Sequence, residues 1–128
     1  MNNNNEIIMY TTDDGVTKVE ATFDGDTVWL SLNQMSELFQ RNKSTVSRHI
    51  KNIFSEGELQ QSATVANFAK VQNEGDRQVE RQITYYNLDV IISVGYRVKS
   101  IRGTQFRIWA SSILKEYMRK GFAMVMHV

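Results

Sequence analysis

The sequence predicts an α+β fold, a winged helix-turn-helix with an N-terminal β-hairpin sheet and two C-terminal helices. Three observations carry that expectation. Polar and apolar residues alternate through the first thirty positions, which are cut by Asp-Gly pairs. Two short stretches of helical period, each opened by a capping residue, fill positions 31–55. A second alternating segment then precedes two further helical patterns. A chain of 128 residues fits one domain, here expected over 6–122, with a leader at 1–5 and a tail at 123–128.

Three strands are expected first, "EIIMYTT", "VTKVEATF" and "TVWLS". Asp14-Gly15 and Asp24-Gly25 separate them and read as type I′ hairpin signals. Val19, Ala21 and Phe23 form the apolar face of the middle strand. In "SLNQMSELFQ", Ser31 and Gln34 have capping-box spacing, and Met35, Leu38 and Phe39 make an apolar stripe. Asn42 is the expected N-cap of a second helix over 43–54, with Val46, Ile50, Ile53 and Phe54 facing inward and Gly57 as its stop. The turn between these helices lacks a glycine, and Asn42 is expected to take the positive-φ role in place of Gln40.

Residues 63–87 read as a hairpin with its tip at Glu74-Gly75-Asp76. "NLDVIISVGYRV" has β-branched residues that suit a strand, but Asn87 as a cap with Leu88, Ile91, Ile92 and Tyr96 on one side predicts a helix. Phe106, Trp109, Ala110, Ile113, Leu114 and Tyr117 predict the last helix, ended by Gly121.

Charge is distributed in blocks. Residues 1–26 carry six acids and one base, and residues 56–96 six acids and three bases. Residues 27–55 carry four bases and one acid, and residues 97–128 seven bases and one acid. The net charge of +1 hides two basic surfaces suited to an anion. The chain has no cysteine, which excludes disulfides and thiolate zinc sites and fits a cytoplasmic protein. No apolar run approaches the ~18 residues of a membrane span, and "MNNNNEIIMY" lacks the regions of a signal peptide. No catalytic motif or cofactor loop is present, so neither enzymatic activity nor a cofactor is expected.

The segment "RNKSTVSRHIKN" suggests a partner. A major groove admits one α-helix, whose outer face needs cations for phosphates and base edges and short hydroxyls that allow close approach. Arg41, Lys43, Ser44, Thr45, Ser47, Arg48 and Lys51 supply that mixture, and positions 40–55 contain no acid. The following hairpin would act as a wing, with Lys70, Arg77 and Arg81 as its phosphate contacts. Arg97, Lys99 and Arg102 form either a second phosphate patch or a solvated loop. The expected function is sequence-specific binding of double-stranded DNA in transcription regulation, with a homodimer favoured because one short helix reads few base pairs. The bland alternative is a solvated basic helix. The functional alternative is a protein-interaction module that binds other regulators without touching DNA.

"TVWLSLNQMSELFQRNKSTVSRHIKNIFSEGEL" together with "YYNLDVIISVGYRVKSIRGTQFRIWASSILKEYMRKGF" resembles the RhuM family of bacterial virulence-associated proteins, over about Ile7 to Phe122. The run "FRIWASSILKEY" is also similar to the N-terminal domains of phage antirepressors. The resemblance implies a cytoplasmic DNA-binding protein of a mobile element or virulence island.

Overall fold

The computed structural model describes residues 6–126, with side chains described through residue 116. Among the described residues the chain forms five strands and five helices. β1 (Glu6–Thr11), β2 (Lys18–Asp24) and β3 (Thr27–Ser31) lead into α1 (Leu32–Phe39) and α2 (Lys43–Ser55). A single turn of helix, α3 (Gln61–Thr64), precedes β4 (Val65–Glu74) and β5 (Arg77–Asn87), and α4 (Leu88–Arg97) and α5 (Ile101–Met126) complete the order.

The α+β class holds, and the expected hairpin layout is corrected. All five strands join one antiparallel sheet in the order β1-β2-β3-β5-β4. The junction is the register Trp29↔Asn87, Leu30↔Tyr86 and Ser31↔Tyr85. Val28 and Leu30 on β3 and Tyr86 on β5 turn the same face toward the helices, so pairing these strands extends one apolar surface. Local alternation identifies each strand but not its neighbour across fifty residues of chain.

The core lies between that face and the helices. Val19, Ala21 and Phe23 are buried as expected, against Met35, Leu38 and Phe39 of α1, Val46, Ile50 and Ile53 of α2, and Phe106 and Ala110 of α5. Tyr10 and Phe106 meet edge to face at 5.2 Å between ring centroids. On the opposite sheet face a small aromatic group forms, with Phe68 5.0 Å from Tyr85 and 6.0 Å from Trp29.

Local chemistry sets the helix ends. The capping box of α1 is complete: Gln34 N–H donates to Ser31 Oγ at 3.2 Å, and Ser31 N–H donates to Gln34 Oε1 at 2.8 Å. Asn42 caps α2, accepting from Thr45 N–H at 2.9 Å. Gly57 at φ 75° closes α2 in a Schellman turn, with Glu58 N–H donating to Ile53 O. Asn87 caps α4, as the helical reading of that segment required.

Several expectations fail, some at turns and some where tertiary contacts decide. Gln40, not Asn42, takes the left-handed conformation, at φ 54°; Asn42 is extended at φ −73° because its side chain must reach Thr45. Gln40 Nε2 donates back to Glu37 O at 2.7 Å, and Arg41 N–H donates to Ser36 O at 3.2 Å, so the α1 terminus is satisfied without glycine. At the β2–β3 tip only Gly25 has positive φ, which is not the expected type I′ turn. The segment around Asp14-Gly15 is a longer loop, since β1 and β2 pair no further than Thr11↔Lys18. Tyr96 is exposed, and Val90, Ile91, Val94 and Gly95 carry the buried face of α4 instead. Gly121 does not end α5, which continues to Met126. The side chains of Tyr117 and of the terminal cations Arg119 and Lys120, and the leader at 1–5, lie outside the described residues; most of the tail at 123–128 falls within α5.

Candidate nucleic-acid interface

α2 follows α1 across a three-residue turn and buries Val46, Ile50 and Ile53 against the core. Helical spacing then dictates what remains outside. Lys43, Ser44, Arg48 and Lys51 are exposed, and Thr45 and Ser47 are half-buried beside them. Lys43, Arg48 and Lys51 have no hydrogen bond or ion pair to any described residue. Ser44 is committed to the cap, its hydroxyl donating to Asn42 Oδ1 at 2.8 Å. The first turn of α2 holds no acid and opens on Lys43. A cation there opposes the positive end of the helix dipole.

Arg41 is drawn into the turn. Its Nη1 donates to Phe39 O at 3.1 Å and to Gln40 O at 3.3 Å, and its Nη2 donates to Val98 O at 3.1 Å. One guanidinium thus ties the α1–α2 turn to the end of α4. Arg97 does the same at the other end of α2, its Nη2 donating to Glu56 at 3.2 Å and Glu58 at 2.8 Å. Glu58 is held below the usual carboxylate range, first by a hydrogen bond from Ser93 and then by Arg97. His49, expected at the edge of the buried stripe, is half-buried there. Burial pushes its imidazole down, with smaller contributions from the Arg48 and Arg97 charges.

The hairpin cations group elsewhere. Lys70 and Arg81 border a groove of about 550 Å³ whose other wall is the start of α1, including Ser31, Asn33 and Gln34. They flank the N-terminal end of α1, whereas α2 leaves from its C-terminal end. Arg81 is held by Glu74, with Nε to Oε1 at 3.1 Å and Nη2 to Oε2 at 2.8 Å. Lys70 and Arg77 are exposed, with no partner among the described residues.

The patch expected from Arg97, Lys99 and Arg102 is dismantled. Arg102 bridges three elements, donating to Thr17 Oγ1 at 3.1 Å, Leu38 O at 3.3 Å and Asp14 Oδ2 at 3.4 Å. Asp14 lies below its ordinary range, first because Thr12 donates to it, then Val16 N–H, with Arg102 adding less. Arg97 and Arg102 therefore brace the fold, and Lys99 alone of the three stays exposed and unpaired among the described residues. Lone cations and clamping arginines look alike in sequence, because the acids that claim them lie 39–88 residues away.

No group of three or more potential metal-ligating side chains occurs among the described residues, and no described helix is long and apolar enough to cross a membrane.

The fold and this surface define a class: an α+β domain whose second helix presents a cationic, acid-free face braced by two arginine clamps. A family model described as the Virulence protein RhuM family matches residues 63–127, just over half of the chain. The chain belongs to the RhuM family. The matched stretch starts at the end of α3 and covers β4, β5, α4 and α5, so α1 and α2 precede it. No curated protein and no solved structure matches the chain.

Proposed function

We propose that this protein binds double-stranded DNA in a sequence-specific manner and regulates transcription from a virulence island or mobile element. In this reading α1, the turn and α2 act as a helix-turn-helix, α2 enters the major groove, and β4–β5 serves as the wing. Arg48 and Lys51 are its main base and phosphate contacts, and Lys43 meets a phosphate at the helix N-terminus. Thr45 and Ser47 line the approach, and Lys70 and Arg77 contact flanking phosphates. Arg41 sets the angle between the two helices through its three carbonyl contacts.

One observation carries the proposal. Lys43, Arg48 and Lys51 stand exposed and unpaired on a single helix with no acid on it. Lys43 is moreover placed against the helix dipole, at a cost of about 0.3–1 kcal/mol for the free protein. An anion docked there reverses the sign of that cost. The virulence association of the family supports the regulatory setting. A cytoplasmic location and a homodimer, which presents two such helices to one operator, complete the reading.

Binding of a fluorescent duplex across a salt series tests it. With three to four phosphates neutralised by each protomer, log K against log salt falls with a slope of about −3 to −4 per bound protomer. Enrichment of one sequence from random duplexes tests specificity. No retention of any duplex at low salt, or a flat salt response, refutes the proposal.

A further inference from the structure

We propose a second binding site: the open cleft between α4 and α5, which takes an acidic, amphipathic segment of a protein partner. The cleft has a volume of about 580 Å³. Its floor exists because two glycines let the helices touch. A Cβ built on Gly103 would lie 3.2 Å from the Gly95 Cα and 3.3 Å from Phe39 Cε1, so a larger residue at either position would part the helices.

Above that crossing the walls are apolar and face water. Tyr96 is 84% exposed and Ile101 is 74% exposed, with Ile92 half-buried between them. Large apolar side chains this exposed, side by side at a concave surface, mark an interaction site more than scattered surface residues do. Lys99 and Arg107 stand at the rim, both exposed and without a partner among the described residues. No acid lines the cleft among the described residues.

That combination selects the occupant by charge and shape. Apolar walls accept one or two aliphatic or aromatic side chains, and the two cations accept carboxylates beside them. A second copy docked by two-fold symmetry would set this patch, with Lys99 and Arg107, against the identical patch, with no acid among the described lining residues to offset the four cations. A DNA duplex presents phosphates to a surface and gains little from an apolar recess. A single strand would stack on several aromatic faces, and Tyr96 is the one aromatic in the lining among the described residues. The openness of the Tyr96 and Ile101 walls suits an extended or helical peptide better than an enclosed small molecule.

The test uses the full chain and four probes: a fluorescein-labelled peptide of repeated Glu-Leu-Leu-Asp units, its counterpart with Lys for each acid, a poly-glutamate of equal length, and a random duplex. The acidic apolar peptide should bind and shift the amide resonances of Gly95, Tyr96, Ile101 and Thr104. The Lys counterpart and poly-glutamate should bind about tenfold more weakly or worse. Ile101→Ser should cut the peptide's affinity about tenfold or more with thermal unfolding and duplex binding unchanged, and Lys99→Gln combined with Arg107→Gln should cut it similarly with thermal unfolding and the duplex's salt slope unchanged. The proposal is overturned by no binding of the acidic apolar peptide, by equal binding of poly-glutamate, or by shifts that map outside the cleft. It is equally overturned if the duplex, or raised concentration of the chain alone, moves the same resonances. Duplex binding through α2 is scored separately, so either site can fail alone.

Discussion

The double substitution Arg48→Ala with Lys51→Ala separates a DNA-reading helix from a solvated one. Both side chains are exposed and make no hydrogen bond or ion pair with described residues, and Ile50 and Ile53, which anchor this part of α2, are untouched. Alanine also has the best helix propensity, so stability should move by about 0.5 kcal/mol or less. DNA binding should change much more. An arginine at a base edge is worth about 1–3 kcal/mol, and a phosphate-bound lysine removes about one unit of salt slope. Together these predict binding weaker by about 5- to 150-fold from the arginine, further weakened by loss of the lysine, and a slope reduced by about 1 per bound protomer. Fluorescence anisotropy on a labelled duplex reads the first, and thermal unfolding by circular dichroism reads the stability. If affinity and slope stay at wild-type values, α2 is an ordinary surface helix. If the variant unfolds, the two residues contribute packing that the structure assigns to the opposite face.

Three further outcomes follow from particular contacts. Lys43→Ala should raise stability by about 0.3–1 kcal/mol while weakening duplex binding, because it removes a cation from the positive end of α2; a variant that loses both would show that Lys43 supports the fold. Gly103→Val should destabilise by about 1–3 kcal/mol or more in urea unfolding, since its side chain meets the Gly95 backbone and the Phe39 ring; an unchanged midpoint would mean that α4 and α5 do not cross there. His49 has its folded value below the ordinary 6.5, so the unfolded chain binds the proton first. Its contribution to stability is present above that value and is lost as pH falls toward the folded value, and His49→Gln should flatten this part of the pH–stability curve. A slope identical in the variant would refute the assignment to His49, since Asp14 and Glu58, held below ordinary carboxylate values, lose their contribution only at more acidic pH.

The sequence by itself determined the local features. Capping residues Ser31, Asn42 and Asn87, the inward stripes of α1 and α2, and the hairpin at 65–87 depend on neighbours within a few positions. The same is true of the outward set Lys43, Arg48 and Lys51, because burying Val46, Ile50 and Ile53 leaves them no other direction. Tertiary structure alone decided which cations remain free. Arg41, Arg97 and Arg102 resemble the others in sequence, but carbonyls and acids far along the chain hold them. It also decided that β3 pairs with β5, and that Tyr96 faces water while Gly95 faces Gly103. The physical reason is range: periodicity and capping act within a turn or two of backbone, whereas sheet order, ion-pair choice and helix crossing are settled by residues that meet only after the chain has folded.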